Sequence, residues 1–414
     1  MEKTDKLWTR SFLILWQGQL VSTMGDAVYS IALGFWVLAV TGSTALMGTL
    51  MAASTLPGVL VSPFAGVLID RSHKRRLFIL MDLLRGVCVV LLATAAWRGW
   101  IAIWMVFAAG ILLSICGAVF NPGLLSAVPD LVSEAKIPNA NAAFSIVTSG
   151  SNLIGSVAGG FLFQALGAPA LFLFDGLSFL FSGATLPFVK IPDSRKNEKT
   201  HFFADMREGF HYIGHKPGLR AILPIAALCN FCVFTGLVLM PALCRESPSL
   251  GASGYGVMMG GFMGGAMVGY MLMSAVTLKP EQKIPVFIVT SMVCPITMVS
   301  GAVQSALPLM TALFALSGMT NSIFNTLLIA AIQTSTPQEV RGKVMSFLLM
   351  VTQGLTPFAM ALGGVLGGIF PVRTVIAVAF GAEFFVILPS YFIPEARVFV
   401  AAKAEQEPAA RAEA

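Results

Sequence analysis

Charge is scarce in this sequence of 414 residues. Asp, Glu, Lys and Arg together make up 11% of it, whereas ordinary soluble domains carry roughly 25%. The longest polar stretch runs from Lys190 to Arg220, which is too short to form a core of its own. The scarcity of charge therefore excludes a large soluble domain.

Motifs for nucleotide binding and catalysis are also lacking. The sequence contains no G-x-x-x-x-G-K-[ST], no H-E-x-x-H and no G-x-S-x-G, so we expect neither an ATP-driven pump nor an enzyme. The four histidines lie outside the long apolar stretches, at His73, His201, His211 and His215. A histidine proton relay within the membrane is therefore not expected.

Cysteines are few, and their spacing does not suggest a metal site. All six fall within or at the ends of apolar stretches, where cysteine behaves as a small apolar residue. Cys229 and Cys232 form a C-x-x-C pair, but the sequence offers no second pair and no nearby histidine. Zinc and redox roles are disfavoured on this basis, and we predict no metal and no cofactor.

Long apolar runs are what the sequence has in abundance, since 56% of its residues are apolar. In lipid the backbone must satisfy its hydrogen bonds within each segment, and no stretch alternates as a barrel strand does. Each run is long enough to cross about 30 Å of hydrocarbon as a helix. We predict an all-α membrane protein with twelve transmembrane helices at 12–38, 46–69, 77–97, 101–120, 141–166, 169–189, 221–243, 255–277, 284–304, 306–331, 343–368 and 373–392.

Positive charge is distributed unevenly between the two sides of these spans. If the N-terminus is cytoplasmic, only Arg98, Arg245 and Arg373 of the 26 Lys and Arg residues fall in outward loops, and Arg85 lies inside a span. Lys and Arg near span ends resist translocation, so both termini are predicted to be cytoplasmic. The Lys and Arg residues that give the chain its net charge of +6 then contact the lipid surface. This charge does not indicate nucleic-acid binding.

The chain divides at its middle into two halves. We predict a six-helix bundle over 1–189, a cytoplasmic linker over 190–220, a second six-helix bundle over 221–396 and a disordered cytoplasmic tail over 397–414. An amphipathic helix is expected in the linker, because apolar residues recur there at helical spacing: Phe203, Met206, Phe210 and Ile213.

An internal repeat supports two pseudo-symmetric bundles. At an offset of 204, Asn121 matches Asn325, the segment 147–150 matches 351–354, and Gly159-Gly160 matches Gly363-Gly364. Parallel six-span repeats are the arrangement of carriers that bind substrate between halves and work by alternating access.

The loop after the second span carries a recognisable motif. It contains Gly66, then Asp70-Arg71, then a basic cluster of Lys74, Arg75 and Arg76. This pattern resembles the loop 2–3 motif of the major facilitator superfamily. The resemblance implies a conformational latch that stabilises the outward-facing state, with Gly66 permitting close approach of two helices; the alternative is that the basic cluster only anchors the loop at lipid headgroups.

Two further motifs narrow the resemblance to one branch. Span 5 carries the glycine series Gly150, Gly155, Gly159 and Gly160, and a loop 10–11 motif contains Pro337, Arg341 and Gly342. With the segments around Trp16, Asn121 and Pro129, they resemble the twelve-span branch that holds macrolide-efflux proteins and the enterobactin exporter. One departure is that span 4 lacks the arginine that many drug–proton antiporters carry there.

Ionisable residues inside spans are costly and are functional candidates. Asp26 and Glu383 are our candidates for proton coupling, although Asp26 could also be a packing carboxylate. Asp82 and Arg85 lie on one helix face and are predicted to form a structural ion pair linked to the loop 2–3 cluster, with a substrate or proton role for Arg85 as the alternative. Asp175 is predicted to be structural.

Polar residues in the central spans are the candidates for a substrate cavity. They are Gln17, Gln19, Asn230, Asn321 and Asn325, among many Met and Phe residues that suit a permissive apolar pocket. We predict an exporter of the cytoplasmic membrane that works as a monomer and exchanges a small amphipathic, drug-like compound for protons. A siderophore or metabolite exporter, a lysophospholipid flippase and a non-transporting scaffold are the alternatives.

Overall fold

The computed structural model describes residues 7–133, 136–189, 210–247, 249–276 and 278–392. Within these ranges every regular element is helical and there is no strand. The predicted tail and most of the predicted linker, including Phe203 and Met206, lie outside the described residues.

Within the described residues up to Val189 there are six α-helices. They are α1 (Arg10–Thr41), α2 (Thr44–Ala53), α3 (Leu56–Arg71), α4 (Lys74–Trp97), α5 (Ile103–Leu131) and α6 (Ile137–Thr185), and α6 continues into a 3₁₀ turn at Leu186–Phe188. The second predicted span is divided between α2 and α3, because Pro57 in the first turn of α3 has no N–H to continue the ladder. The fourth predicted span was placed to end at residue 120, whereas α5 continues through Pro122 and Pro129.

Helix α6 contains two of the predicted spans. Its 49 residues would extend about 74 Å if straight, more than twice the thickness of the hydrocarbon core. The chain turns at Gly167, whose φ of 76° lies in the left-handed region that glycine adopts without strain. The turn separates the predicted spans 141–166 and 169–189, and Pro169 follows it directly.

Within the described residues from Pro217 onwards there are eight further α-helices, two pairs of which divide a predicted span between them. They are α7 (Pro217–Leu237), α8 (Met240–Glu246), α9 (Gly251–Ala275), α10 (Pro280–Val303), α11 (Leu307–Thr334), α12 (Gln338–Gly354), α13 (Thr356–Ile369) and α14 (Val372–Ile387), followed by a 3₁₀ turn at Leu388–Tyr391. The pairs α7–α8 and α12–α13 form spans 7 and 11.

Length and composition make these helices candidates for crossing a membrane. Ten helical segments of the described chain are long and apolar enough, and the longest of them, Ile137–Phe188, turns back at Gly167. Helix α14 has 16 residues and reaches a spanning length only with the 3₁₀ turn that follows it. Large apolar side chains face outward along the helices, such as Phe385, which is 70% exposed, as expected for contact with lipid.

Two compact units divide the chain differently from the predicted halves. The first unit holds the described residues up to Val189 together with Val238–Gly260 and Met360–Val372. Helices α1 and α4 both pack along α6, and α3 packs along α5. Thr44 Oγ1 donates a hydrogen bond to the Gly364 carbonyl (3.0 Å), so a segment of α13 closes onto α2 within this unit.

The second unit holds the rest of the described chain, including Gly261–Ala359. Helices α10 and α11 pack together, as do α7 and α12. Gly261, Gly265 and Gly269 recur every fourth residue on α9, and a Cβ on any of them would overlap the backbone or side chains of α11. This spacing of small residues is how helices approach closely in lipid.

Candidate functional site

Helix α1 carries a polar stripe. Gln19, Thr23, Asp26 and Ser30 lie on one face at helical spacing, and Gln19 Nε2 donates a hydrogen bond to Thr23 Oγ1 (3.0 Å). Asp26 is the only charged member and is exposed. A carboxylate facing lipid would be costly, so the stripe fits a helix face that borders an aqueous interior.

The ion pair predicted from the sequence is present on α4. Arg85 donates a hydrogen bond to Asp82 Oδ1, and both side chains are almost fully buried. The Arg85 guanidinium also lies over the rings of Phe120 and Phe179, at 4.6 Å and 4.3 Å from their centroids. The pair therefore faces α5 and α6 inside the bundle; its predicted link to the loop 2–3 cluster is not among these contacts.

Asp175 is the least satisfied ionisable side chain of the first unit. It is fully buried on α6, and neither of its carboxylate oxygens has a hydrogen-bond partner. The neighbouring Ser178 hydroxyl donates instead to the Asp175 carbonyl (2.7 Å). A Cβ at Gly25 would lie 2.6 Å from Asp175 Oδ1, so the missing side chain leaves the space that the carboxylate occupies against α1.

These residues form one charge cluster, which we define as Asp26, Asp82, Arg85 and Asp175. Asp26 lies close enough to interact electrostatically with Asp82, Arg85 and Asp175, and the members come from α1, α4 and α6. The cluster contains three acids and one base, so it holds an excess of two negative charges when every member is ionised. The sequence pointed to each member separately but not to their meeting.

Glu383 is the corresponding acid of the second unit. It is 6% exposed on α14, and its Oε2 is buried without a partner. Cys229, Cys232 and Cys294 lie close enough to interact with it electrostatically, and all three are free thiols. In the described part of the chain no group of His, Cys, Asp or Glu has a geometry that could hold a metal ion.

The predicted cavity residues have varied environments. Asn230 Nδ2 donates to the Thr352 carbonyl (2.7 Å) and to Thr356 Oγ1 (3.2 Å), so it links α7 to α12 and α13. Asn325 Nδ2 donates to Asn321 Oδ1 (3.0 Å). Gln17 and Gln19 are half-buried on α1, and the Gln19 Oε1 atom lacks a partner. Their role in binding a substrate stays a prediction.

The loop 2–3 motif is joined to α5 through its first lysine. Lys74 Nζ donates to Asp130 Oδ2 (2.8 Å) and to the Ser126 carbonyl (2.9 Å), whereas Arg75 and Arg76 are exposed. Asp130 lies ten residues beyond the predicted end of the fourth span, so the span prediction gives no partner for Lys74; the Pro129-Asp130 pair is the sequence signal at this position.

The other predicted residues of the loop 2–3 motif are Gly66, Asp70 and Arg71. A Cβ at Gly66 would meet nothing within 4 Å, so the expectation that Gly66 permits a close helix approach is wrong in this structure. The side chains of Asp70 and Arg71 lie outside the described part of the chain. The latch role itself stays a prediction.

Three of the four glycines predicted in span 5 lie at close helix contacts. A Cβ at Gly155 would overlap the Ala27 side chain, and one at Gly159 would approach Ile31 and Val28. At Gly160 a Cβ would overlap the backbone carbonyl of Ala252. Gly150 has open space around it, so it makes no close helix contact of this kind.

The loop 10–11 motif begins α12. Pro337 is the residue that precedes its first turn, and Arg341 donates to the Thr336 carbonyl through Nε (3.3 Å) and Nη2 (3.1 Å). Gly342 is exposed and has no atom near its missing side chain. The motif thus stabilises its own loop.

Known proteins match the chain along nearly its whole length. Macrolide efflux protein A of Streptococcus pyogenes is 24% identical over 378 residues, which is 90% of this chain and 92% of the relative. The multidrug efflux pump Tap of Mycobacterium bovis is 22% identical over 369 residues, 86% of each chain. Both relationships are distant.

Solved structures confirm the predicted fold class. The crystal structure of the nucleoside transporter NupG superimposes with a TM-score of 0.74 over 93% of this chain and 99% of that one, at 11% identity. Identity at this level supports the fold alone, which is the all-helical major facilitator fold. The cytoplasmic location of both termini stays a prediction.

A family profile covers nearly the whole sequence and confirms the resemblance seen in its motifs. The profile described as transmembrane secretion effector matches residues 5–413. The chain therefore belongs to the transmembrane secretion effector family of the major facilitator superfamily.

Proposed function

We propose that this multi-pass secondary transporter exports a small amphipathic, drug-like compound from the cytoplasm by alternating access, in exchange for protons. The distant relatives named for macrolide and multidrug efflux support export and the substrate class. The internal repeat of the sequence is consistent with alternation between two six-helix bundles.

The observation that carries this proposal is Asp26 on the polar stripe of α1. It is the one exposed carboxylate of the charge cluster, so it is the member that a proton or a substrate can reach first. Because Asp26 interacts electrostatically with Asp82 and Arg85, a ligand or proton bound at the charge cluster changes how readily Asp26 takes up a proton. A residue of this kind couples two ligands because the binding of one disfavours the binding of the other.

Glu383 is the second candidate for proton coupling, and a different argument supports it. Its carboxyl is buried among thiols without a partner for Oε2, so ionisation there is costly. Glu383 is also far less exposed than Asp26. We therefore assign Asp26 the primary role and Glu383 a secondary one.

Proton movement in everted membrane vesicles tests the proposal. A pH gradient is imposed, a macrolide is added, and collapse of the gradient is followed with a pH-sensitive dye. We expect collapse with the native protein and none with Asp26→Asn, since the amide cannot exchange a proton. Glu281→Gln is the matched control, because it makes the same acid-to-amide change at an exposed residue in the first turn of α10.

The same vesicles discriminate the alternatives. Collapse with a siderophore, and none with macrolides or cationic dyes, would replace the drug-like substrate with a chelator. Unchanged collapse in Asp26→Asn, at equal protein level, would remove Asp26 from the mechanism. If no compound collapses the gradient, antiport of these compounds is contradicted, and labelled lysophospholipid uptake into spheroplasts then tests lipid flipping.

A further inference from the structure

The position of Asp175 on α6 does not explain how its buried carboxylate is stabilised. Its carboxylate is fully buried and neither oxygen has a hydrogen-bond partner. An ionised carboxylate in such a site loses its hydration without gaining a direct counter-ion, which costs several kcal/mol. Protonation removes that cost, because the carboxylic acid is neutral.

The groups that face Asp175 do not offer a counter-ion. Those close enough to influence it or its immediate neighbours are Asp26 and Tyr29 from α1, Asp82, Arg85 and Cys88 from α4, and Ser178 from its own helix. Arg85 is the only cation, and it is engaged in the ion pair with Asp82. The Tyr29 hydroxyl is buried and unpartnered, and Ser178 donates to a backbone carbonyl.

A second feature, independent of charge, connects Asp175 with Asp26. Gly25 immediately precedes Asp26, and its missing side chain is what leaves the Asp175 carboxylate room against α1. The Asp175 carboxylate therefore occupies a glycine notch in α1, and Asp26 is the next residue after that notch, on the exposed face of α1.

We propose that Asp175 is a second proton-binding site, which holds a proton inside the first unit and exchanges it with Asp26 across the Gly25 notch. This proposal rests on the proton coupling proposed above. In each exchange one O–H bond breaks on one carboxyl group and one forms on the other, so a single proton is shared by two carboxylates and no further reactant is needed. Arg85 acts as a positioning residue that holds Asp82 neutralised.

Infrared spectroscopy of the purified full-length protein can detect the proton directly. The protein is prepared with ¹³C only at the side-chain carboxyl carbons of its aspartates. This label shifts the infrared carbonyl band of a protonated aspartic acid and leaves the band of Glu383 unchanged. At neutral pH we expect one shifted band in the native protein. It should be lost in Asp175→Asn and kept in Asp26→Asn and in the control Glu281→Gln.

Each outcome decides the proposal without any substrate. A native protein with no shifted band overturns it, and so does a band that persists in Asp175→Asn. Because the native spectrum alone can overturn the proposal, it remains testable if Asp175→Asn fails to fold. If the band behaves as expected while no compound moves protons in vesicles, the proton site stands and the export function fails.

Discussion

The buried acids of the two units have different surroundings. In the first, the charge cluster holds three aspartates and one arginine on three helices, the arginine is paired with Asp82, and Gly25 makes room for Asp175. In the second, Glu383 has no charged partner and is surrounded by thiols. Within the described residues, the first unit contains a charge cluster, whereas the second contains the single buried acid Glu383.

This contrast shows which unit depends on electrostatic balance. A buried ion pair is stable only while both partners remain, because the loss of one leaves an uncompensated charge. A lone acid has no such dependence, since a proton neutralises it. The stability of the first unit should therefore be sensitive to single charge changes, and that of the second should not.

Removal of Arg85 tests this contrast with the largest expected effect. Arg85→Leu leaves Asp82 buried without a cation, so we expect about 3–5 kcal/mol of destabilisation. Denaturant titration of the purified protein would measure it. The double variant Asp82→Asn with Arg85→Leu should recover most of the loss. Equal losses in the single and double variants would show that Arg85 stabilises through its ring contacts and not through its charge.

A methyl group at Gly25 tests the space that the Asp175 carboxylate needs. The Cβ in Gly25→Ala would overlap that carboxylate, and we expect about 1–3 kcal/mol of destabilisation from overpacking. Gly381 lies two residues before Glu383 and has open space around it, so Gly381→Ala is the matched control. It should be neutral or stabilising, because alanine favours helix more than glycine does. Equal losses of stability in Gly25→Ala and Gly381→Ala would contradict a specific notch at Gly25.

The sequence predicted the helices better than the cluster. Apolar runs and charge placement located nearly every span, because lipid constrains the length and polarity of each segment separately. The meeting of Asp26 with Asp175 depends on how α1 packs along α6, and a single sequence does not encode that packing in any local pattern. Asp175 is predicted to be structural because span 6 is expected to support the bundle, and its local sequence does not indicate that Asp26 lies near it.

Helix ends were harder to predict than spans. The predicted fourth span ends at residue 120, but α5 continues through Pro122 and Pro129 and carries Asp130 to Lys74. At Gly66 the motif suggested a close contact that the structure does not contain. In both cases the outcome depends on the helix that packs alongside, which local sequence does not reveal.

The Lys74–Asp130 pair should contribute less than the buried pair. Its side chains are 11% and 20% exposed, and ion pairs with access to solvent contribute roughly 0–1 kcal/mol. Lys74→Met should therefore lower stability by no more than about 1 kcal/mol, as measured by the same titration at low and high salt. A loss comparable to that of Arg85→Leu would mean that this pair is electrostatically as important as the buried one.

The smallest effect is expected at the acid of the second unit. Glu383→Gln keeps the size of the side chain and replaces a buried carboxyl group that a proton, and no neighbouring cation, neutralises, so we expect the denaturation midpoint to stay unchanged. Asp82→Asn is the informative comparison, because it also replaces an acid by its amide but leaves Arg85 unpaired. If both variants lowered the midpoint equally, the ion pair would not distinguish the units. If Glu383→Gln alone lowered it, the Glu383 carboxyl would have a stabilising partner, and the contrast between a charge cluster and a lone acid would be wrong.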